Sequence, residues 1–225
     1  MTRTRPASGG GRIVEVEPER LPKWVANFAE RNGGIAAHSA EGDAWTIRSN
    51  DAAGLDDPGN GRVAQVRWTL AGGLPAGWLL DEDPAEAAAR LSDYALEPRR
   101  LGVLLARKGA YSVGIVVDGC IEVSKTDTAY VQGKTKAGGQ SQQRFARRRE
   151  GQAKAAAKRA TEAAVGVLAH ADLDALVTGG VVDAILEDPR LRHLTPAAHF
   201  GDIAEPKQAL LQATAYRAIG FEIRL

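Results

Sequence analysis

The first part of the chain combines one helical hydrophobic pattern with several short strand-like ones. Apolar residues recur at the three- and four-residue spacing of an amphipathic helix over residues 18–31, at Leu21, Trp24, Val25 and Phe28. Asn32-Gly33-Gly34 is a typical end for such a helix. Three runs predict strands: a short edge strand at 13–16, then 45–48 and 63–70. We therefore predict a small α+β domain over residues 13–80.

Two segments flank this domain. Residues 1–12 are basic and glycine-rich and are not followed by an apolar segment, so they predict a disordered tail and not a signal peptide. From Asp81 an alanine-rich helix is predicted to about Leu96, which makes a helical connector of residues 81–98. The acids at its start suit the helix dipole. A metal site is the alternative for these acids, but no histidine lies nearby.

Three strands joined by tight turns open the second part of the chain. The strands are predicted over 101–107, 111–117 and 120–124. Lys108-Gly109 and Asp118-Gly119 separate them, and Asp-Gly between apolar runs is the strongest short signal for a hairpin. Residues 130–132 extend a strand toward a glycine-containing loop.

A long helix and a parallel strand follow this meander. The helix is predicted from Ser141, as its N-cap, to about His170, with small apolar residues along one face. The apolar run 174–178, a glycine pair and a helix over 181–186 predict a parallel central strand with a right-handed crossover. Gly179-Gly180 favours a tight turn over an anion-binding cradle.

A helix over 206–218 and a strand over 221–225 complete the second domain. The predicted fold class is α+β or α/β, with a mixed-sheet domain over 99–225 after the small α+β domain.

Positive charge is concentrated in one stretch of an almost neutral chain. The formal net charge is +1, yet residues 128–149 have six Lys or Arg and no Asp or Glu. This distribution is typical of a protein with a polyanionic partner. The six basic residues are Lys134, Lys136, Arg144, Arg147, Arg148 and Arg149.

Gly138-Gly139-Gln140 lies in the middle of this basic stretch. Two adjacent glycines let a backbone take positive φ and approach a ligand closely, because no Cβ is in the way. A glutamine is no general base, but its amide can orient a water and its backbone N–H can donate to a developing oxyanion. These groups suit a hydrolysis in which a large RNA partner does most of the positioning.

The motif and its downstream residues resemble a known catalytic segment. Gly138-Gly139-Gln140-Ser141 is followed by Arg144-Phe145-Ala146-Arg147 and then Arg149. This pattern resembles the catalytic segment of archaeal and eukaryotic class-1 peptide-chain release factors, and the order of elements over 99–225 resembles the ribonuclease-H-like core of their middle domain. By that resemblance Gly138, Gly139 and Gln140 are the catalytic positions.

The first 80 residues contain no motif that resembles the stop-codon-reading domain of those factors. The chain more closely resembles the compact release-factor-like peptidyl-tRNA hydrolases related to the yeast Vms protein, of which actinobacteria have a short version. That resemblance implies codon-independent hydrolysis of peptidyl-tRNA on stalled large ribosomal subunits, in ribosome-associated quality control. The yeast-type proteins generally have a divergent loop, whereas Gly-Gly-Gln is intact here.

The same resemblance implies the partners. They are the peptidyl-transferase centre of the large subunit and the acceptor end of peptidyl-tRNA, and we expect a cytoplasmic monomer without cofactor, metal or membrane contact. The RNA-binding candidates are Lys134, Lys136, Ser141, Arg144, Arg147, Arg148 and Arg149.

Three alternatives remain for the basic segment and its domain. Gly-Gly-Gln between polar residues is also common in solvated linkers. A non-catalytic ribosome-binding factor could keep the loop as a plug. A metal-dependent nuclease on a ribonuclease-H-like fold needs clustered carboxylates, for which Asp118, Glu122, Asp174 and Asp183 are available.

The remaining chemically notable side chains favour structural roles. Cys120 is the single cysteine, which excludes an internal disulfide and fits a reducing cytoplasm. We expect it to be a small core residue and not a nucleophile, because no histidine is close in sequence. His193 and His199 are expected in a loop around Pro196. The tryptophans are expected in the core and not stacked on bases: Trp24, Trp45, Trp68 and Trp78.

Overall fold

The computed structural model describes residues 3–50, 63–70, 83–107, 109–128 and 140–225. The chain forms two units, one of Met1–Glu97 with Tyr216–Leu225 and one of Pro98–Ala215. Each described unit has its own β-sheet, which confirms a mixed α+β fold with two sheets. None of the helices within these ranges is both long and apolar enough to cross a lipid bilayer.

The helices and strands follow one another in this order: β1 (Arg3–Pro6), β2 (Arg12–Val16), a 3-10 turn (Pro18–Arg20), α1 (Leu21–Arg31), β3 (Ile35–Glu41), β4 (Ala44–Ser49), β5 (Val63–Trp68), α2 (Pro84–Leu96), β6 (Arg100–Arg107), β7 (Ala110–Val117), β8 (Cys120–Thr128), α3 (Gln140–Leu168), β9 (Ala175–Gly180), α4 (Asp183–Leu186), β10 (Pro196–Phe200), α5 (Gln208–Ala218) and β11 (Phe221–Arg224).

The first unit packs two helices on a sheet of order β1-β2-β11-β5-β4-β3. The helical pattern predicted over 18–31 is confirmed by α1, which buries Leu21, Val25 and Phe28 on one face. Trp24 stacks on Phe28 with ring centroids 5.5 Å apart, and Trp45 is fully buried. These side chains share a core with strand residues such as Val66. Trp78 lies outside the described residues.

Residues 3–6 correct the expectation of a disordered tail. They form β1, which pairs antiparallel with β2 from Arg3 opposite Glu15 to Pro6 opposite Arg12. The strand predicted at 13–16 is therefore not an edge strand, because β2 lies between β1 and β11. A short, exposed and polar strand has no hydrophobic alternation of its own, so only its partner identifies it.

Two further elements of this unit differ from the sequence prediction. β3 was not predicted, since most of its small or polar side chains are exposed and give little alternation. α2 is not a separate connector, because Ala87, Ala88, Leu91 and Ala95 are buried in the core of the first unit. Asp83 caps this helix, because its side chain accepts a hydrogen bond of 2.8 Å from the backbone N–H of Ala85. Asp81 and Glu82 lie outside the described residues.

The last strand also differs from the predicted domain boundaries. β11 was expected within a second domain of 99–225, but it pairs antiparallel with both β2 and β5 in the first sheet. Its alternating Phe221 and Ile223 are buried in that core, and the Trp68 indole donates 2.9 Å to the carbonyl of Ile219. Local pattern predicts the strand, but it does not predict which sheet receives it.

The second unit has a five-stranded sheet of order β10-β9-β6-β7-β8. The meander of β6, β7 and β8 is antiparallel as predicted. The predicted hairpin turn is confirmed by Asp118 and Gly119, which have φ of 47° and 69°. β9 is parallel to β6, as predicted.

Gly179 and Gly180, predicted to form a tight turn, are the last two residues of β9 and pair with β6. Gly180 has φ of 76°, and a Cβ at this position would overlap the carbonyl oxygen of Ala106. The next residue, Val181, donates its N–H to that same oxygen at 2.9 Å. Glycine is required here because the backbone of β9 approaches β6 closely.

The region around His193 and His199 is only partly a loop. Residues 196–200 form β10, which pairs parallel with β9 and has a register shift between Pro196 and Ala198. Proline and this irregularity conceal the strand in the sequence, because both interrupt strand patterning. His199 is tied to Thr178 of β9 by a 2.9 Å contact between Nδ1 and Oγ1, a structural role.

Candidate functional site

The helix α3 is the element on which most of the predicted site residues lie. Gln140 is its first residue, and the helix includes Ser141, Arg144 and the run Arg147–Arg149. Ser141 is thus inside the first turn and not at the N-cap position. The side chains of these residues, together with Gly138, Gly139, Lys134 and Lys136, lie outside the described part of the molecule.

The ends of the strands fix where the predicted loop departs. β6 and β9 run parallel, and β8 runs in the same direction because it is antiparallel to β7. The carboxyl ends of β6, β8 and β9, at Arg107, Thr128 and Gly180, therefore lie at one edge of the sheet, called here the loop end. Residues 129–139 connect Thr128 at this end to the start of α3.

One half of α3 packs on the sheet, and we call residues 156–168 its sheet half. Its buried side chains are small and face β7 and β6. This confirms the predicted apolar face from Ala156 onward; Ala153, the first residue predicted on it, has no described side chain. The buried side chains are Ala156, Ala160, Ala163, Ala164, Val167 and Leu168.

The other half, residues 140–155, is called here the basic half. It has five Lys or Arg and one Glu, and at 1.5 Å per residue its sixteen residues span about 24 Å. Arg159 forms an ion pair of 3.3 Å with Asp127, which lies next to the end of β8. Because that contact marks the loop end of the sheet, the basic half continues past the strands.

The described charges of the basic half are exposed. Lys154 pairs with Glu150 at 2.7 Å, four residues earlier on the helix. Their hydrogen bond lowers the pKa of the Glu150 carboxyl and raises the pKa of the Lys154 ammonium. Both groups are therefore charged at neutral pH, and the single acid of this half is already paired with a base.

A groove lies beside the sheet half of α3. Its volume is about 530 Å³, and it is lined from α3, β7 and β8 by Tyr111, Lys125, Ala155, Lys158, Arg159, Glu162 and Ala163. We call this the basic groove. Burial and the neighbouring carboxylate of Asp127 raise the pKa of the Tyr111 hydroxyl, which keeps it neutral.

Sequence reasoning missed two cations of this groove, Lys125 and Arg159. Lys125 is directly opposite Val113 in the β7–β8 pairing, so it is on the sheet face that packs against α3. The alternation of side chains along β8 could have placed Lys125 on one face of the strand. It could not have shown that α3 covers that face, because this depends on tertiary packing. Arg159 is adjacent to Lys158 on α3, and both line the groove.

The carboxylates available for a metal-dependent nuclease have other roles. Glu122 receives a 2.9 Å hydrogen bond from the guanidinium of Arg100, and Asp174 accepts 2.6 Å from the Arg100 backbone N–H. Asp118 forms the hairpin turn, and Asp183 begins α4. Among the described residues, no three His, Cys, Asp or Glu side chains come together as a set of metal ligands.

Cys120 corrects another expectation. It was predicted as a core residue, but it is exposed, because it follows the Asp118-Gly119 turn at the start of the edge strand β8. The short apolar run of this strand therefore did not imply burial on both faces.

Comparison with known proteins places the chain in a class of translation proteins. The family model of the Actinobacteria/chloroflexi VLRF1 release factors matches residues 99–224, which is 126 of 225 residues. The chain belongs to this family of release factors. Membership gives it a release-factor-like role connected with the ribosome. No curated protein sequence matches the chain.

Among solved structures, the chain is similar to a crystal structure of Pelota from Archaeoglobus fulgidus. The match covers 96% of this chain and 66% of that one, with 12% identity and a TM-score of 0.27. The chain therefore spans about two thirds of the length of that protein. At this score the likeness supports no argument about mechanism.

Proposed function

We propose that the protein hydrolyses the ester bond of peptidyl-tRNA on stalled large ribosomal subunits, in ribosome-associated quality control and without reading a codon. One observation supports this most strongly. The family match over residues 99–224 includes Gly138-Gly139-Gln140, and Gln140 begins the helix α3. The last residue of the motif is therefore the first residue of a long basic helix.

The proposed chemistry needs no group outside the loop and the RNA. A water attacks the ester carbonyl carbon, and the bond from that carbon to the ribose oxygen breaks. That oxygen takes a proton from the attacking water, so the products are a peptide carboxyl group and a free ribose hydroxyl. Gln140 orients the water through its side-chain amide, and its backbone N–H stabilises the oxyanion or the departing hydroxyl. Gly138 and Gly139 let the loop enter a narrow site.

The packing of α3 on the sheet supports the proposed hydrolase function. The sheet half is packed on β7 and β6, so the basic half continues from an anchored segment of the same helix. An anchored helix reduces the conformational freedom that the loop must lose on binding. The strand order β10-β9-β6-β7-β8, with its antiparallel meander and two parallel strands, also supports a catalytic unit of ribonuclease-H-like type.

We propose that the large subunit and the acceptor end of peptidyl-tRNA are the partners of a cytoplasmic, monomeric protein. The six basic residues of 128–149 would contact phosphates of rRNA and tRNA. Exposed Lys154 and Lys158 continue this positive charge along α3.

The decisive experiment compares peptide release from three complexes: large subunits with peptidyl-tRNA, intact ribosomes with a stop codon in the A site, and intact ribosomes with a sense codon there. We expect multiple turnover on the large subunits and no dependence on the codon. Release confined to stop-codon complexes contradicts the proposal. Stoichiometric binding without release would instead identify a non-catalytic ribosome-binding factor.

A further inference from the structure

The basic groove has the form of an open channel along one row of α3. Its helical residues Ala155, Lys158, Arg159, Glu162 and Ala163 are spaced three and four apart, which places them on one side of the helix. The opposite wall is β7 and β8, and β8 is the edge strand of its sheet. In the described part of the chain, no further strand therefore lies beyond the groove on that side.

Lys125 lines this groove from β8, and its ammonium group lies beside Gly166 of α3. A Cβ at Gly166 would be 3.0 Å from the Lys125 ammonium nitrogen, so glycine at 166 leaves room for that group. Lys125 has no ion-pair partner among the described residues. Within the described ranges, no carboxylate therefore neutralises its charge.

The two acids near the groove are occupied by arginines. Asp127 pairs with Arg159 at 3.3 Å through Nε. Glu162 accepts two bonds from Arg190, at 3.2 and 2.8 Å, and Arg190 also bonds Asp188 at 2.8 Å. The Arg190 contact lowers the pKa of the Glu162 carboxyl, so it stays ionised and paired. Lys125 and Lys158 are left as the cations that meet an incoming ligand.

We propose that the basic groove binds the phosphodiester backbone of the tRNA substrate, at a distance from the loop. This inference rests on the proposed function for the identity of the RNA. The groove begins at Ala155, about 23 Å along the helix from Gln140 at 1.5 Å per residue. A strand whose esterified end reaches the loop would lie along the basic half and enter the groove.

The shape and charge favour a nucleic-acid strand. Residues 140–159 have seven Lys or Arg and one Glu before Glu162 is reached, over roughly 28 Å of helix. Such a concentration of Lys and Arg favours salt-sensitive binding along a phosphate backbone, and the three whose side chains are described, Lys154, Lys158 and Arg159, are exposed. The groove floor of Tyr111 and Ala163 is apolar and suits the faces of ribose or base. A small anion would be poorly enclosed by a channel open at its edge.

The test measures binding to a fluorescently labelled RNA hairpin with the tRNA acceptor-stem sequence and no attached peptide, by anisotropy at several salt concentrations. The variant Lys125→Gln/Lys158→Gln is compared with Lys23→Gln/Lys207→Gln, which changes two exposed lysines that do not line the groove. We expect roughly tenfold weaker binding of the groove variant, and a salt slope smaller by one to two units, since each lost phosphate contact removes about 0.7–0.9. The control variant keeps the wild-type slope.

A second variant, Gly166→Glu, adds a carboxylate beside Lys125 without removing any lysine. It should weaken RNA binding in the same direction, while circular dichroism shows an unchanged helix content. Wild-type affinity and slope for both groove variants overturn the proposal. Competition by poly-glutamate as strong as that by RNA also overturns it, in favour of an acidic peptide.

These measurements use RNA without an ester, so they do not depend on hydrolysis. If peptidyl-tRNA is not hydrolysed but the groove variants still lose RNA affinity, the proposed catalysis fails and the RNA surface remains. If hydrolysis is retained and RNA binding is unaffected in the groove variants, only the groove proposal fails.

Discussion

The two halves of α3 have opposite compositions and opposite surroundings. The sheet half buries alanines and other apolar residues against β7 and β6, whereas the basic half has five Lys or Arg against one Glu and runs past the loop end of the sheet. Small buried side chains allow close approach of the helix to the sheet. The excess of Lys and Arg in the basic half is typical of a segment with a polyanionic partner.

The difference separates stability from function within a single element. Changes in the sheet half should alter the free energy of unfolding, and changes in the basic half should alter catalysis and RNA binding. Because one continuous helix contains both halves, the packed part sets the direction of the basic part.

Gln140→Ala should have the largest effect and should leave stability unchanged. Loss of a group that orients the water or stabilises charge in the transition state typically reduces kcat by about 10²–10³. Single-turnover release of peptide from large subunits measures this, and thermal unfolding provides the stability comparison. Gly139→Ala should likewise reduce the rate of peptide release without changing stability. Release at the wild-type rate by both variants would remove the catalytic assignment.

Ala164→Leu should have the opposite effect to Gln140→Ala: it should reduce stability and leave activity unchanged. Ala164 is fully buried, and inserting a larger side chain into a packed interface costs about 1–3 kcal/mol of unfolding free energy. Urea unfolding checks this value, while turnover per folded molecule should stay near that of the wild type. The matched control is Ala157→Leu, at an exposed position of the same helix, which should cost little. Equal destabilisation by both substitutions would mean that the sheet half is not packed as described.

Arg147→Ala and Arg149→Ala should each reduce binding to large subunits and the salt dependence of that binding. One lost phosphate contact lowers the slope of log affinity against log salt by at most about one unit. A titration of labelled protein with large subunits at several salt concentrations measures it. Unchanged slopes in both variants would assign these arginines to an ordinary solvated helix surface.

The smallest expected effect is on the free energy of unfolding at low pH. It concerns residues that contact the sheet half of α3. Hydrogen bonds from Arg190 lower the pKa of Asp188 from 3.8 to about 2, and Arg190 also holds Glu162 of α3. A lowered carboxyl pKa gives stability that is present above the unfolded value and is lost as pH falls from about 4 through about 2. Asp188→Asn should flatten that part of the stability curve only slightly, because its partner Arg190 is exposed to solvent, which screens the ion pair. A curve steeper than that of the wild type would contradict the assignment.

Local patterns predicted several elements because their signals lie within a few residues. The apolar spacing of Leu21, Val25 and Phe28 was enough for α1, and Asp118-Gly119 was enough for the β7–β8 turn. Both depend on backbone preferences and side-chain periods that act over one or two turns of chain. The family resemblance was likewise contained in a short segment, Gly138 to Arg149, and membership is confirmed by the match over residues 99–224.

The tertiary structure decided what depends on partners distant in sequence. β11 joins the first sheet across more than 150 residues from β5, and β1 and β3 become strands because neighbours complete their hydrogen bonds. The basic groove exists only because α3 covers the face of β8 that includes Lys125, beside Gly166. The sequence alone determined the basic helix and its Gly-Gly-Gln motif, since these are local. Which cations line one groove was determined by packing, because burial and pairing are set by contacts between segments that the local pattern does not specify.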